Sequence, residues 1–259
     1  MRYISFTFDD GRNDNYDIAY PIMKKYGYCG TVYCTTGYID GSWQKRADWI
    51  STKKPLTVDQ LKELEENGWE IALHGDKHIT QKEDLETALA KLKSWGFDYE
   101  KTGFSIPDSR TGESEIKRIT QSELGDKIAY IRRGRAIDTG KLSSKVLFAL
   151  YTYAKMGFAY KRFNLPNLLD MGNPDKTNIP SVVVRFKDKP EMLSSLIDVM
   201  PDNTALVLML HSIWRKEDEL YGSDPWNWGA DEMEEFCKLL SEKCDNGFCE
   251  VRCLRDIIL

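Results

Sequence analysis

The 259-residue chain contains three histidines, and two of them, His74 and His78, stand four apart in the stretch HGDKH. Two imidazoles on one side of a turn can grip a single cation, and zinc-like metals accept two nitrogens plus a carboxylate oxygen while keeping a position open for water. The same spacing also suits a surface turn or a structural hydrogen-bonded pair. The missing oxygen has candidates in Asp9 and Asp10 of FTFDDG, and the third histidine, His211, closes the apolar run ALVLML. Adjacent residues on a regular strand face opposite ways, so both acids share one site only where the strand gives way to a turn, which Gly11 provides. One acid would then hold a cation and the other would serve as base for a water, with the divalent charge keeping both ionised. A cap on the following helix is the plainer reading of the same pair.

The elements that must position these residues alternate. Strands are predicted at Tyr3 to Phe8, Thr31 to Thr35, Trp69 to Leu73, Lys101 to Ile106, Ile128 to Arg132, Val182 to Phe186, Ala205 to Leu210 and Glu250 to Val251. Helices are predicted at Asn15 to Lys25, Val58 to Asn67, Gln81 to Trp95, Glu113 to Leu124, Pro190 to Val199 and Asp231 to Cys244, several of them stopped by glycine. That rhythm predicts a mostly parallel sheet covered by helices in one domain spanning 1–259. Residues 139–180, helical over Val146 to Ala154 and then rich in Asn, Pro and Gly, read as an insertion or long loop. All five acid and histidine positions fall at carboxyl ends of strands, the end where active sites gather in parallel α/β folds.

Composition narrows the function classes. A balance of 36 bases against 41 acids gives a net charge of −5, so a nucleic-acid partner is not expected. No apolar run reaches the roughly 20 residues of a membrane span, and no membrane partner is expected either. Met1 leads straight into the first strand without room for a signal core, which predicts a cytoplasmic protein; a removed leader would leave the same sequence. The six cysteines lack the paired C-x-x-C spacing of a zinc ribbon and are expected to be free, mostly buried thiols.

With TFDDG at Thr7 to Gly11, HGDKH at His74 to His78 and LMLH at Leu208 to His211, in that order, the chain resembles the polysaccharide deacetylases, carbohydrate esterase family four. The resemblance implies a distorted, incomplete (β/α) barrel of the TIM type. It implies Asp10, His74 and His78 as ligands of one divalent ion, zinc above all with cobalt or nickel tolerated. It implies Asp9 as general base and His211 as general acid, with Leu210 or Leu208 near the acetyl methyl and backbone N–H groups near Tyr33 or Cys34 for the oxyanion. The implied activity is hydrolysis of N-acetyl groups on an acetamido sugar or polysaccharide. A small non-carbohydrate amide is the rival substrate, and a non-catalytic carbohydrate-binding relative the rival class.

The chain departs from the family pattern in three places. Gly75 stands where Ser or Thr usually follows the first histidine. The third motif keeps only Pro107, a candidate substrate contact, with Ser105 in place of the arginine that orients the base. Arg110, Arg132, Arg133 and Arg135 are the candidates to replace it. The fourth motif has no clear counterpart: Asp138 and Asp170 are candidates to tune His211, and Trp214, Trp226 or Trp228 to form a wall. Trp226 and Trp228 in DPWNWG would stack on a sugar ring or simply pack their loop. Tyr151, Tyr153, Phe158, Tyr160 and Phe163 are expected to be core or interface of the insertion.

Overall fold

The computed structural model of the chain describes residues 1–44, 54–109, 112–134 and 141–259. Its layering is visible in the first strand, β1 (Arg2–Phe8): Ile4, Phe6 and Phe8 enter the core beneath the helices, and alternation turns Ser5 and Thr7 to the opposite face. A π turn over Asn15–Ala19 runs into α1 (Tyr20–Lys24), followed by β2 (Gly30–Cys34) and the short α2 (Thr36–Ile39). Helix α3 (Val58–Glu66) begins with a reciprocal cap between Thr57 and Gln60, buries Leu61 and Leu64, and leads into β3 (Glu70–Leu73). Helix α4 (Lys82–Ser94) buries Leu85, Ala88 and Leu92 and precedes β4 (Thr102–Ser105). Then come α5 (Glu113–Thr120) and β5 (Ile128–Arg132). The helix predicted through Leu124 stops at Thr120, and a 3-10 turn covers Glu123–Lys127.

Between 141 and 180 the chain forms α6 (Leu142–Thr152), α7 (Gly157–Asn164) and β6 (Leu169–Asp170). The remainder runs β7 (Val182–Val183), α8 (Pro190–Ile197), β8 (Thr204–Leu210), β9 (Ile213–Trp214), β10 (Trp228–Gly229), α9 (Ala230–Asp245), β11 (Glu250–Val251) and α10 (Leu254–Ile258). The main sheet is ordered β5-β4-β3-β2-β1-β8-β6, parallel except for β6 against β8. Strand β11 adds to β1, and β7 adds to β8.

The sheet curls into a distorted, incomplete barrel. Its two edges are joined by one short segment, in which Ile179 bridges Arg132 at the end of β5 while Val182 and Val183 pair with Leu208 and Met209 of β8. Inside the curl, Tyr33, Ala72, Tyr130, Ala205 and Val207 pack on Leu254, Ile257 and Ile258 of α10. Apolar side chains therefore fill most of the lumen, around a buried hydrogen-bond network centred on Glu70, and the carboxyl ends are left to polar residues. No described helix is long and apolar enough to cross a membrane.

Candidate metal centre

At the carboxyl end of β1 the backbone breaks its alternation. Asp10 and Gly11 both take left-handed conformations, each with φ of 78°. Asp9 keeps its strand pairing, donating its N–H to the Leu210 carbonyl at 2.9 Å. Because Asp10 leaves the extended conformation, its carboxylate no longer points to the face opposite Asp9, and both acids are buried at one mouth. His78 and Asp108 also have positive φ, 56° each, so three of the five such non-glycine residues described line this site. Backbone strain of about 1–3 kcal/mol per residue persists only where surrounding contacts over-determine it.

Those contacts can be named. His74 follows β3 and its Nδ1 lies 2.9 Å from the Ser105 carbonyl, which fixes Nδ1 as donor and leaves Nε2 with a free lone pair. The loop from His74 to His78 is clasped by Asp84 of α4, which accepts from the N–H groups of Asp76 at 2.7 Å and Lys77 at 2.9 Å. Gly75 sits inside that clasp at φ of 82°, and a Cβ there would lie 2.7 Å from Asp84 Oδ2 and from the Ile79 carbonyl. Steric room and backbone sign thus exclude the Ser or Thr usual in this motif.

Asp10 Oδ1 lies 3.4 Å from His74 Nε2 and 3.5 Å from His78 Nε2. In a tetrahedral site with metal–ligand bonds of about 2.1 Å, neighbouring donors stand about 3.4 Å apart, so these three atoms have the spacing of a zinc-type half-shell. Asp10, His74 and His78 form a buried set of cation-capable residues whose donor atoms lie within 4.8 Å of one another. The other oxygen, Asp10 Oδ2, accepts from Arg12 Nε at 2.8 Å and Arg12 Nη2 at 2.5 Å, and Arg12 Nη1 reaches Ser212 Oγ at 2.8 Å.

Burial raises the Asp10 pKa, but Arg12 and then His74, which donates from Nε2 only as the imidazolium, outweigh it and hold the carboxyl well below its ordinary value. Burial lowers the His74 pKa, yet Asp9 and Asp10 together raise it on balance. In His78, burial and then the His74 charge act together and bring it to about 4.

Asp9 has its own anchor. Arg132 at the end of β5 hydrogen-bonds both Asp9 Oδ1 and Ser105 Oγ, and its guanidinium lies 5.0 Å from the centre of the Tyr33 ring. Ser105 and Arg132 face each other in the β4–β5 register, so the small serine leaves the space that the guanidinium enters from the next strand. Burial raises the Asp9 pKa, and Arg132, His74 and His211 overcome it to give a net lowering. His211 Nε2 is 3.8 Å from Asp9 Oδ2, and burial keeps the imidazole below its ordinary pKa.

All five acid and histidine positions predicted for the centre meet there, and Arg132 emerges among the four candidate arginines. Arg133 points instead toward Asn178. Arg110, Arg135 and Asp138 lie outside the described residues. Asp170 pairs with Thr204 at the opposite end of β8 and cannot reach His211.

The predicted substrate contacts divide. Trp226 is 42% exposed, with its ring centre 5.8 Å from that of His211. Trp228 is a correction: it is 1% exposed, donates Nε1–H to the Asp188 carbonyl at 2.9 Å and packs on Phe236, so no sugar can stack on it. Trp214 is likewise buried. Leu210 is a second correction. With Leu206 and Leu208 it enters the core beneath the helices, because the lumen face of β8 carries Ala205, Val207 and, by alternation, Met209. Pro107 is buried and opens the 3-10 turn that brings Asp108 Oδ1 within 3.9 Å of His78 Nδ1, so it shapes the rim. Past β2, the N–H groups of Thr35, Thr36 and Gly37 are committed to the carbonyls of Asp10, Gly75 and Asp76. Arg12, Asp84 and Asp108 were not read from sequence as parts of the centre.

Sequence comparison reaches the amino-terminal part of the chain, and structural comparison nearly all of it. Residues 1–121 match the family model for polysaccharide deacetylase. YxkH of Bacillus subtilis (strain 168), whose name assigns it to the polysaccharide deacetylases, is 32% identical over 121 residues, which is 44% of this chain and 39% of YxkH. The aligned stretch is thus well under half the length of that curated relative. Among solved structures, the family 4 acetyl xylan esterase from Clostridium thermocellum in complex with a cobalt ion is similar over 98% of this chain and 89% of its own, at 13% identity and a TM-score of 0.50. A CE4 family pseudoenzyme from Bacillus anthracis is similar over 99% of this chain and 65% of its own, at 11% identity and a TM-score of 0.52. At such identities the two structures speak to the fold alone.

Proposed function

We propose, for a chain whose residues 1–121 belong to the polysaccharide deacetylase family and which curls into that family's barrel, a cation-dependent hydrolase that removes N-acetyl groups from an acetamido sugar. The observation that carries this reading is the division of labour between the neighbouring acids: Asp10 Oδ1 faces two imidazole nitrogens at 3.4 and 3.5 Å, while Asp9 is held apart by Arg132.

Asp10, His74 and His78 would hold one divalent ion, zinc by donor set with cobalt or nickel as substitutes, which polarises the amide carbonyl and acidifies water when bound. Asp9, kept ionised by Arg132, takes a proton from the attacking water. His211 Nε2, 3.8 Å from Asp9 Oδ2, would receive that proton by way of one intervening water and hand it to the departing nitrogen. An amine leaves only when protonated, which is why an imidazole stands opposite the base. Trp226 offers an exposed ring beside His211 on which a pyranose can stack.

The test is acetate release by protein stripped with chelator and reloaded with zinc, cobalt or nickel, on chitin oligomers, N-acetylated monosaccharides and small amides. Release from the sugars, abolished by chelation and by Asp10→Ala or His78→Ala, supports the reading. Asp9→Asn should retain the ion and lose turnover. Release from small amides alone transfers the chain to the rival substrate class, and sugar binding without release under any loading makes it a binding protein.

A further inference from the structure

Between Asp138 and Asp170 the sequence contains no acid, although the whole chain carries 41. The same stretch holds Lys141, Lys145, Lys155, Lys161 and Arg162, none of which forms an ion pair among the described residues. It folds as α6 and α7, whose inner residues Tyr151, Ala159, Tyr160 and Phe163 are buried in the core. The outer face is also apolar: Leu142 is 77% exposed, Tyr153 76% and Phe158 59%, with Val146 and Met156 beside them. Lys187 lies 6.0 Å from the Tyr153 ring. The guanidinium of Arg185 stands 4.8 Å from the Phe148 ring and 5.4 Å from the Trp226 ring, so the basic and apolar surface continues to the mouth marked by His211.

We propose that the α6–α7 face docks the protein on an anionic lipid surface. Uncompensated bases ringing exposed aliphatic and aromatic side chains are the pattern that seats a protein at the headgroup boundary of a bilayer, with rings and aliphatic chains below the phosphates and ammonium groups among them. A neutral glycan would have no use for five unpaired bases. The expectation of no membrane partner came from the lack of a spanning segment, a lack that leaves peripheral docking open. Docked this way, the protein holds its metal centre beside the membrane. The inference does not rest on the hydrolase reading, since vesicle binding is measured without turnover.

The experiment is flotation of the full chain with vesicles of phosphatidylcholine alone and of phosphatidylcholine mixed equally with phosphatidylglycerol. The wild type should float with the anionic vesicles, be released as salt is raised, and stay behind with phosphatidylcholine. Phe158→Asp and the pair Lys141→Glu with Lys145→Glu should each weaken binding by on the order of tenfold, with melting temperature and cation content unchanged because these side chains are exposed. Failure to float, or flotation indifferent to lipid charge or to these variants, overturns the proposal. So does a concentration-dependent dimer in sedimentation that Phe158→Asp abolishes, which would assign the face to a second copy.

Discussion

Arg12 grips one oxygen of Asp10 and leaves the other to the imidazoles: Oδ2 accepts two N–H bonds from the guanidinium, and Oδ1 faces His74 and His78. The carboxylate is thereby fixed to present one oxygen to a cation, with its direction set in advance. Arg12→Met should weaken cation affinity by about 10–100-fold, the usual effect of losing a partner that orients a ligand. Without a cation, the same variant leaves a buried carboxylate unneutralised and should lose about 3–5 kcal/mol of stability, partly restored by saturating zinc. Calorimetric titration and denaturant midpoints with and without zinc check both. Unchanged affinity would make Arg12 structural only.

The Arg132–Asp9 pair orients the acid proposed as base. Arg132→Ser should leave cation content intact and lower turnover by about 100-fold, the smaller end of what a positioned general base contributes. The register of β4 against β5 supplies a control. Adding Ser105→Arg to that variant offers a guanidinium from the facing residue and should recover part of the lost rate. A double variant no better than the single one would mean that the strand supplying the arginine is decisive.

The five acid and histidine positions of the candidate centre were legible because each stands at or a few residues beyond a strand end, and parallel strands bring such ends together whatever lies between them. Arg132 could only be placed among four candidates, since its role depends on lateral register between strands. Arg12 was missed because its reach to Asp10 depends on two successive left-handed residues, of which only Gly11 announces itself. Leu210 and Trp228 were misplaced for a matter of parity and packing. The strand face carrying His211 carries Met209 rather than Leu210, and the DPWNWG loop turns one ring out and one in.

That loop makes a paired prediction. Trp226→Ala removes an exposed ring and should leave the melting temperature unchanged while raising KM on a sugar roughly fivefold, for a stacking contribution of about 1 kcal/mol. Trp228→Ala empties a core site beside Phe236 and should cost about 3–5 kcal/mol in denaturant unfolding. If Trp226→Ala leaves KM unmoved, the ring only covers His211.

Beneath the centre, Glu70 is buried in the lumen, accepting from Tyr130 Oη at 2.8 Å, Thr31 Oγ1 at 2.8 Å and the Arg255 N–H at 3.1 Å, and Tyr130 continues to Tyr33 at 3.0 Å. Burial raises its pKa above the ordinary 4.5 despite those bonds. Below 4.5 both the folded and unfolded chains carry the proton, so this group adds no pH dependence. Above it the unfolded chain has released the proton while folded Glu70 still holds it, and stability falls with rising pH until the raised pKa is passed. Glu70→Gln cannot titrate, so the stability of the variant relative to the wild type should climb across that window and be level on either side. Asp9 and Asp10, with lowered pKa values, produce the opposite slope at lower pH in both proteins and cancel in the difference. Denaturant unfolding of the two proteins from pH 4 to pH 8 reads the difference directly; a flat difference would mean that Glu70 titrates in the barrel as it does in water.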